Sequence, residues 1–392
     1  MLWQKIGRIS VFTVFLFFVV VNLFVSFIKP IEAADLGSVE VWGKAAILID
    51  ENSGRVLYQK NADLRMPPAS LTKIMTALLV IENGNLDKKV RISERAAETG
   101  ESSIWLETGE VLTRRELLYA LMLSSANDAA VALAESVAGD VEDFVERMNA
   151  RAKQLGLRNT HFSNPHGLEA VGHYTTAWDL AFLTRYAMTN PTFRKVVETK
   201  TAAIPWEGHP WKRQLFNKNR LLYRYSGAIG VKTGYTKRAG NCLVGAARRG
   251  NLSLIVVVLN SPQVYEDAEK LLDYGFLHYQ GYPLKVDKKF LQVDIYGGLS
   301  RKVTLKPEKD VLVAATPSEK MQLSYAVSLP KKIRAPVKRG EVVGSLRILL
   351  KGKEIGRINL LASSSVGRRI PFWIRLFAGV KNFFRKIFEM AF

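Results

Sequence analysis

The sequence holds a single cysteine, Cys242, in 392 residues. That excludes an intramolecular disulfide and a cysteine-based metal cluster, so stability has to come from packed cores. Within the apolar run Cys242-Leu243-Val244 the thiol is expected to be buried and structural. Acidic residues are the second shortage: 36 Asp and Glu against 56 Lys and Arg leave a formal charge of +20. A charge of that sign favours an anionic partner, whether nucleic acid, membrane lipid or acidic wall polymer. The basic residues are scattered, as in Lys88-Lys89, Arg114-Arg115 and Lys331-Lys332, so much of the charge reads as solvated surface. Internal repeats and low-complexity linkers are also missing. An apolar fraction of 48% suffices for packed cores, and the length exceeds one average domain, so two folded domains with terminal extras are expected.

The first 33 residues follow the order of a secretory signal peptide: Lys5 and Arg8, an apolar stretch over 11–28, then the small residues Ala33 and Ala34. An uncleaved membrane anchor is the other reading of the same run. Either way the bulk of the chain is expected outside the cytoplasm, on the extracytoplasmic face of the cell membrane, which argues against nucleic acid. Residues 368–392 place Trp373, Phe377, Val380 and Phe384 at helical spacing, with Arg375, Lys381 and Arg385 between them. Such a helix is too charged to span a bilayer and suits an anionic membrane surface.

Between the ends, residues 45–60 read as a hairpin turning at Asn52-Ser53-Gly54. From Ser70 to about Ser163 the apolar period becomes helical, as in Leu71, Ile74, Met75 and Leu78. Strand signals return over 229–234, 242–246 and 252–259, followed by a helix over 265–274. A helical block inserted between early and late strands of one antiparallel sheet makes an α+β domain, with its cleft where sheet and helices meet. That domain is assigned to 36–281. Short alternating segments over 285–364 read as a small all-β domain, a spacer or binding module without clustered catalytic residue types.

Three short motifs carry the chemistry. Ser70-Leu71-Thr72-Lys73 follows two prolines at a helix start, which puts Ser70 and Lys73 on one face. A serine hydroxyl needs a base, and a lysine can serve once burial or nearby cations lower its pKa. Ser125-Ala126-Asn127 falls at a break between helices, where short polar side chains can point into a cleft. Lys232-Thr233-Gly234 lies on a strand, with Lys and Gly on one face, and the glycine lets a ligand backbone approach closely. Each motif is weak alone; their order and placement let all three converge.

The set, with Ser163-Asn164-Pro165-His166-Gly167-Leu168 and Ala239-Gly240, resembles the low-molecular-mass penicillin-binding proteins, serine-type D-alanyl-D-alanine carboxypeptidases of the peptidase S11 type. The resemblance covers nearly the whole chain. It implies a β-lactamase/transpeptidase-like fold, no metal or other cofactor, peptidoglycan pentapeptide as substrate and β-lactam antibiotics as acylating ligands. It also implies roles. Ser70 attacks the carbonyl of the penultimate D-alanine with Lys73 as base, and Ser125 passes a proton to the leaving amine. Asn127 holds the substrate amide and positions Lys73. Lys232 and Thr233 bind the terminal carboxylate beside Gly234, and the N–H groups of Ser70 and Tyr235 form the oxyanion hole. One position departs: where family members often carry an arginine near the substrate carboxylate, this chain has Val264, leaving Lys237 or Arg238 as substitutes or a drift in preference. His166 and His173 read as packing or loop residues. A D-alanyl endopeptidase and a non-catalytic wall-binding or penicillin-binding protein are the other readings. A β-lactamase is disfavoured, because the second motif lacks that class's aspartate.

Overall fold

Two stretches far apart in the chain meet in one antiparallel sheet. β1 (Ala45–Asp50) and β2 (Val56–Lys60) form the expected hairpin, and β3 (Ala228–Thr236), β4 (Gly240–Arg249) and β5 (Leu252–Leu259) complete the order β2-β1-β5-β4-β3. The computed structural model describes residues 39–369 apart from 288 and 290. The expected signal peptide and all but the first two residues of the terminal helix lie outside that range.

β1 and β5 are buried along their whole length, which explains their continuous apolar sequence: both faces are covered. Ala45, Ile47 and Ile49, with Ile255, Val257 and Leu259, pack with the helical block. On the other face Leu48 and Leu254 meet α3 (Val264–His278) at Gly275, where a Cβ would fall 2.5 Å from Leu254 and 2.9 Å from Leu48. The helical block is built around α1 (Lys73–Asn83) and α2 (Asn127–Ala138), whose apolar faces are buried against one another. It runs further than the sequence periodicity suggests. Helices Ala177–Ala187 and Pro191–Glu198 follow, N-capped by Thr176 and Asn190, and a hairpin of Thr201–Ile204 with Arg213–Phe216 precedes the return to the sheet.

The C-terminal strands form a six-stranded sheet with its own core around Leu346, Ile348, Ile358 and Leu360. Leu312–Ala315 leaves that sheet and pairs with Gln280–Pro283. The small domain grips the β1–β2 turn. Arg55 donates to the Ala314 carbonyl at 2.8 Å and forms a two-pronged pair with Glu319; Asp50 accepts from Ala314 N–H at 3.1 Å; and Arg357 N–H donates to the Ser53 carbonyl at 2.7 Å.

Asp267 on α3 fastens the entry to β1: its wholly buried carboxylate accepts from Trp42 N–H at 3.0 Å, Gly43 N–H at 2.8 Å and the Ser261 hydroxyl at 2.6 Å. Asp267→Ala strands three donors and is expected to lower the unfolding free energy by about 3 kcal/mol, read as a reduced urea midpoint.

Candidate active site

Ser70 stands on a 3-10 turn, Ala69–Thr72, that runs directly into α1. The residue before it, Ala69, is buried with φ at 49°, a left-handed conformation costly for a residue with a Cβ. The surroundings hold it there. Gly167, itself at φ 95°, packs so closely that a Cβ would lie 1.9 Å from the Ala69 carbonyl oxygen, and only glycine fits. The Thr72 hydroxyl donates to that same oxygen at 2.8 Å, and His173 Nε2 lies 2.8 Å from the Thr72 oxygen. Ser163 N–H donates to His173 Nδ1 at 2.9 Å, so the network assigns the ring proton to Nε2. Burial brings the His173 pKa down to about 4, which keeps the ring neutral.

Lys73 is fully buried, and its Nζ has three partners: Ser70 Oγ at 3.0 Å, Asn127 Oδ1 at 2.7 Å and the His166 carbonyl at 2.7 Å. Burial, then the charges of Lys232 and Lys218, hold its pKa well below the ordinary lysine range against Asp128 and Glu101. A neutral amine here gives its two N–H bonds to Asn127 and His166, leaving its lone pair towards Ser70 Oγ. Asn127 is turned the right way because its Nδ2 donates to the Gly100 carbonyl at 2.9 Å.

Ser125 arrives by an irregular route. The helix widens into a π turn over Ala120–Ser124, and Ser125 then takes a left-handed conformation at φ 61°, which lifts it out of the helical path before α2 begins at Asn127. β3 closes the opposite wall as the edge strand of its sheet. A Cβ on Gly234 would sit 3.1 Å from Ser70 N and 3.2 Å from the Pro68 carbonyl, so strand and nucleophile turn touch there. Lys232 is buried, donates to the Thr233 carbonyl at 2.9 Å, and has its pKa lowered to about 7 by burial and by Lys218. Thr233 is half-buried and the Tyr235 side chain is exposed.

Of the eight residues singled out from sequence, Ser70 and Asn127 meet at the Lys73 amine, Ser125 stands just before α2, and Lys232, Thr233, Gly234 and Tyr235 lie on β3, which touches the nucleophile turn at Gly234. Sequence reasoning missed others. Lys218 follows the hairpin strand Arg213–Phe216, and its charge acts on both buried lysines. Asp128 holds the loop over the second motif, accepting from Ser103 Oγ at 2.5 Å, Ile104 N–H at 3.1 Å and Leu106 N–H at 3.2 Å. His166, read as a packing or loop residue, also supplies its backbone carbonyl to Lys73; burial and the Lys73 charge lower its own pKa to about 3. Val264 is buried at the start of α3. Lys237 and Arg238 lie beside Glu169, whose carboxylate accepts from Arg238 N–H at 2.9 Å. Cys242 is buried and its thiol is pushed up to about 11, an inert group.

A sequence profile described as D-alanyl-D-alanine carboxypeptidase, peptidase S11, matches residues 32–263, and one described as penicillin-binding protein 5, C-terminal domain, matches residues 282–368. The D-alanyl-D-alanine carboxypeptidase DacF of Bacillus subtilis is 38% identical over 324 residues, 80% of this chain and 82% of the relative. Among solved structures, the D-alanyl-D-alanine carboxypeptidase DacD from Francisella tularensis has a TM-score of 0.65 at 28% identity, covering 88% of this chain and 98% of that one. The Streptomyces K15 DD-transpeptidase reaches 0.58 at 40% identity, over 61% of this chain and 98% of its own. With a profile matched over more than half its length and a relative aligned over four-fifths of it, this chain belongs to the D-alanyl-D-alanine carboxypeptidase family of S11 serine peptidases.

Proposed function

We propose that the chain releases the terminal D-alanine of peptidoglycan stem pentapeptides through an acyl-enzyme on Ser70, and that β-lactams acylate the same serine. The observation that carries this reading is the buried, charge-depleted Lys73 amine 3.0 Å from Ser70 Oγ. Lys73 takes the hydroxyl proton as Oγ bonds to the penultimate D-alanine carbonyl carbon. The peptide C–N bond then breaks, with Ser125 delivering a proton to the departing amine and taking one from the Lys73 ammonium in its place. Water attacks the ester, the C–Oγ bond breaks, and Ser70 recovers its proton. The N–H groups of Ser70 and Tyr235 stabilise the oxyanion in turn; Gly234, with no side chain, lets β3 come close enough.

Lys232 and Thr233 hold the terminal carboxylate. Lys218 supplies the further positive charge that Val264 does not, which makes it a better substitute than Lys237 or Arg238, both beside Glu169. The same reading places the enzyme outside the cytoplasm, supported by the signal-like pattern of residues 1–33. Residues 368–392 serve as its anchor on an anionic membrane surface, supported by their alternating aromatic and basic pattern. Among the described residues no helix is long and apolar enough to cross a membrane.

A fluorescent penicillin is expected to label the wild type and to leave Ser70→Ala and Lys73→Met unlabelled, with D-alanine release down at least about a thousandfold. Unlabelled wild type that releases no D-alanine would sink the mechanism. Acylation should rise with pH as Lys73 loses its proton and decline above about 7 as Lys232 loses the charge that holds the carboxylate. Lys232→Arg keeps its charge and should abolish the declining limb. Acid stability follows from the two histidines. With folded pKa values of about 3 and about 4 against an ordinary 6.5, the unfolded chain binds more protons between those limits, so their contribution is complete above about 6.5 and is lost as pH falls from there to about 4 for His173 and about 3 for His166. Thermal melts of His173→Gln should show a shallower loss over that window.

A further inference from the structure

The connection between strands Thr201–Ile204 and Arg213–Phe216 carries three aromatic rings in a row. Trp206 and His209 have centroids 4.3 Å apart, and His209 and Trp211 5.5 Å apart. Trp211 is 60% exposed, and on the neighbouring loop Trp105 is 73% exposed. Scattered exposed apolar residues need no explanation, but several indoles gathered on two adjoining loops do. They are also held in place. The buried Arg213 forms a two-pronged pair with Glu110 at 2.8 and 3.2 Å, donates to the Trp105 carbonyl at 3.1 Å, and lies 4.7 Å from the Trp206 ring centroid. Glu207 ties the hairpin to the same loop by accepting from Val111 N–H at 3.1 Å. The buried indole N–H of Trp206 has no acceptor among the described residues.

The cluster is continuous with the cleft. Trp105 belongs to the loop whose Gly100 and Ser102 carbonyls hold Asn127. From Arg213 the chain runs through Phe216 to Lys218 at the cleft, roughly 16 Å at about 3.3 Å per residue. An extended stem pentapeptide with its terminal residues at Ser70 spans roughly 17 Å. A peptide leaving Ser70 along the Trp105 loop is long enough to bring its sugar-bearing end to the rings. Flat indole faces with polar edges suit a pyranose, which offers an apolar C–H face and hydroxyls at its rim. Glu207 and Lys212 flank the rings with both signs, whereas an anionic lipid surface would call for cations alone.

We propose that Trp105, Trp206, His209 and Trp211 form a platform for the N-acetylated saccharide that bears the stem peptide, so that the enzyme holds sugar and peptide together. This rests on Ser70 acting on stem peptides. Binding is tested on the full protein by indole fluorescence with a tetramer of β-1,4-linked N-acetylglucosamine. The wild type should give a saturable shift, weakened at least about tenfold in Trp105→Ala/Trp211→Ala. Both side chains lie largely in water, and circular dichroism checks the fold; should the double variant unfold, Trp211→Ala alone carries the comparison. The ratio of kcat/KM for disaccharide-linked over free pentapeptide should be about ten in the wild type and near one in the variant. Equal sugar affinity in wild type and variant, or no saturable shift, overturns the platform. So does a response to phosphatidylglycerol vesicles with none to sugar, which would make the rings a lipid patch. Sugar binding without D-alanine release from either peptide would keep the platform and remove the peptidase reading.

Discussion

Everything at the cleft depends on keeping one amine out of water. An ammonium buried as deeply as Lys73 is costly, and two further cations nearby raise that cost, so the group gives up its proton at a pH where a surface lysine would keep it. The surroundings are arranged around that state. Asn127 and His166 offer neutral oxygen acceptors that orient the amine, while Asp128 and Glu101 act on it only from beyond hydrogen-bond contact, and Asn127 is itself fixed by the Gly100 carbonyl. The fold brings these partners from three separate stretches of chain, which explains why a helical block has to be inserted between the first and last strands of the sheet.

The second constraint is steric. The nucleophile turn is pressed between Gly167 and Gly234, and it stays in an unfavourable backbone shape because Thr72, itself held by His173, donates to the Ala69 carbonyl. The strained turn and the buried amine serve one end: Ser70 Oγ is presented at a fixed distance from its base, with little reorganisation left for the reaction to perform.

Much of this was legible in the sequence, for identifiable reasons. The hairpin over 45–60, the late strands and the helical period of α1 follow from patterns that local sequence dictates. The three motifs were recognisable because their residue types are tied to one chemistry and their elements could be placed. What escaped was whatever depends on contact across the fold. Lys218 has no motif, and only its proximity to two other lysines gives it meaning. His173 is one of five histidines, set apart by a bond to a threonine a hundred residues away in sequence. The aromatic hairpin lacks a strong alternating pattern because its tip is open to water, and the pairing of Leu312–Ala315 with Gln280–Pro283 escapes because pairing partners are not written in local periodicity.

The clasp between the small domain and the β1–β2 turn sets a mechanical rule. Because Arg55, Asp50 and Ser53 are hydrogen-bonded by Ala314, Glu319 and Arg357, the first hairpin cannot shift without breaking its bonds to the small domain. A load on the small domain is therefore passed through these bonds into the first hairpin of the catalytic sheet.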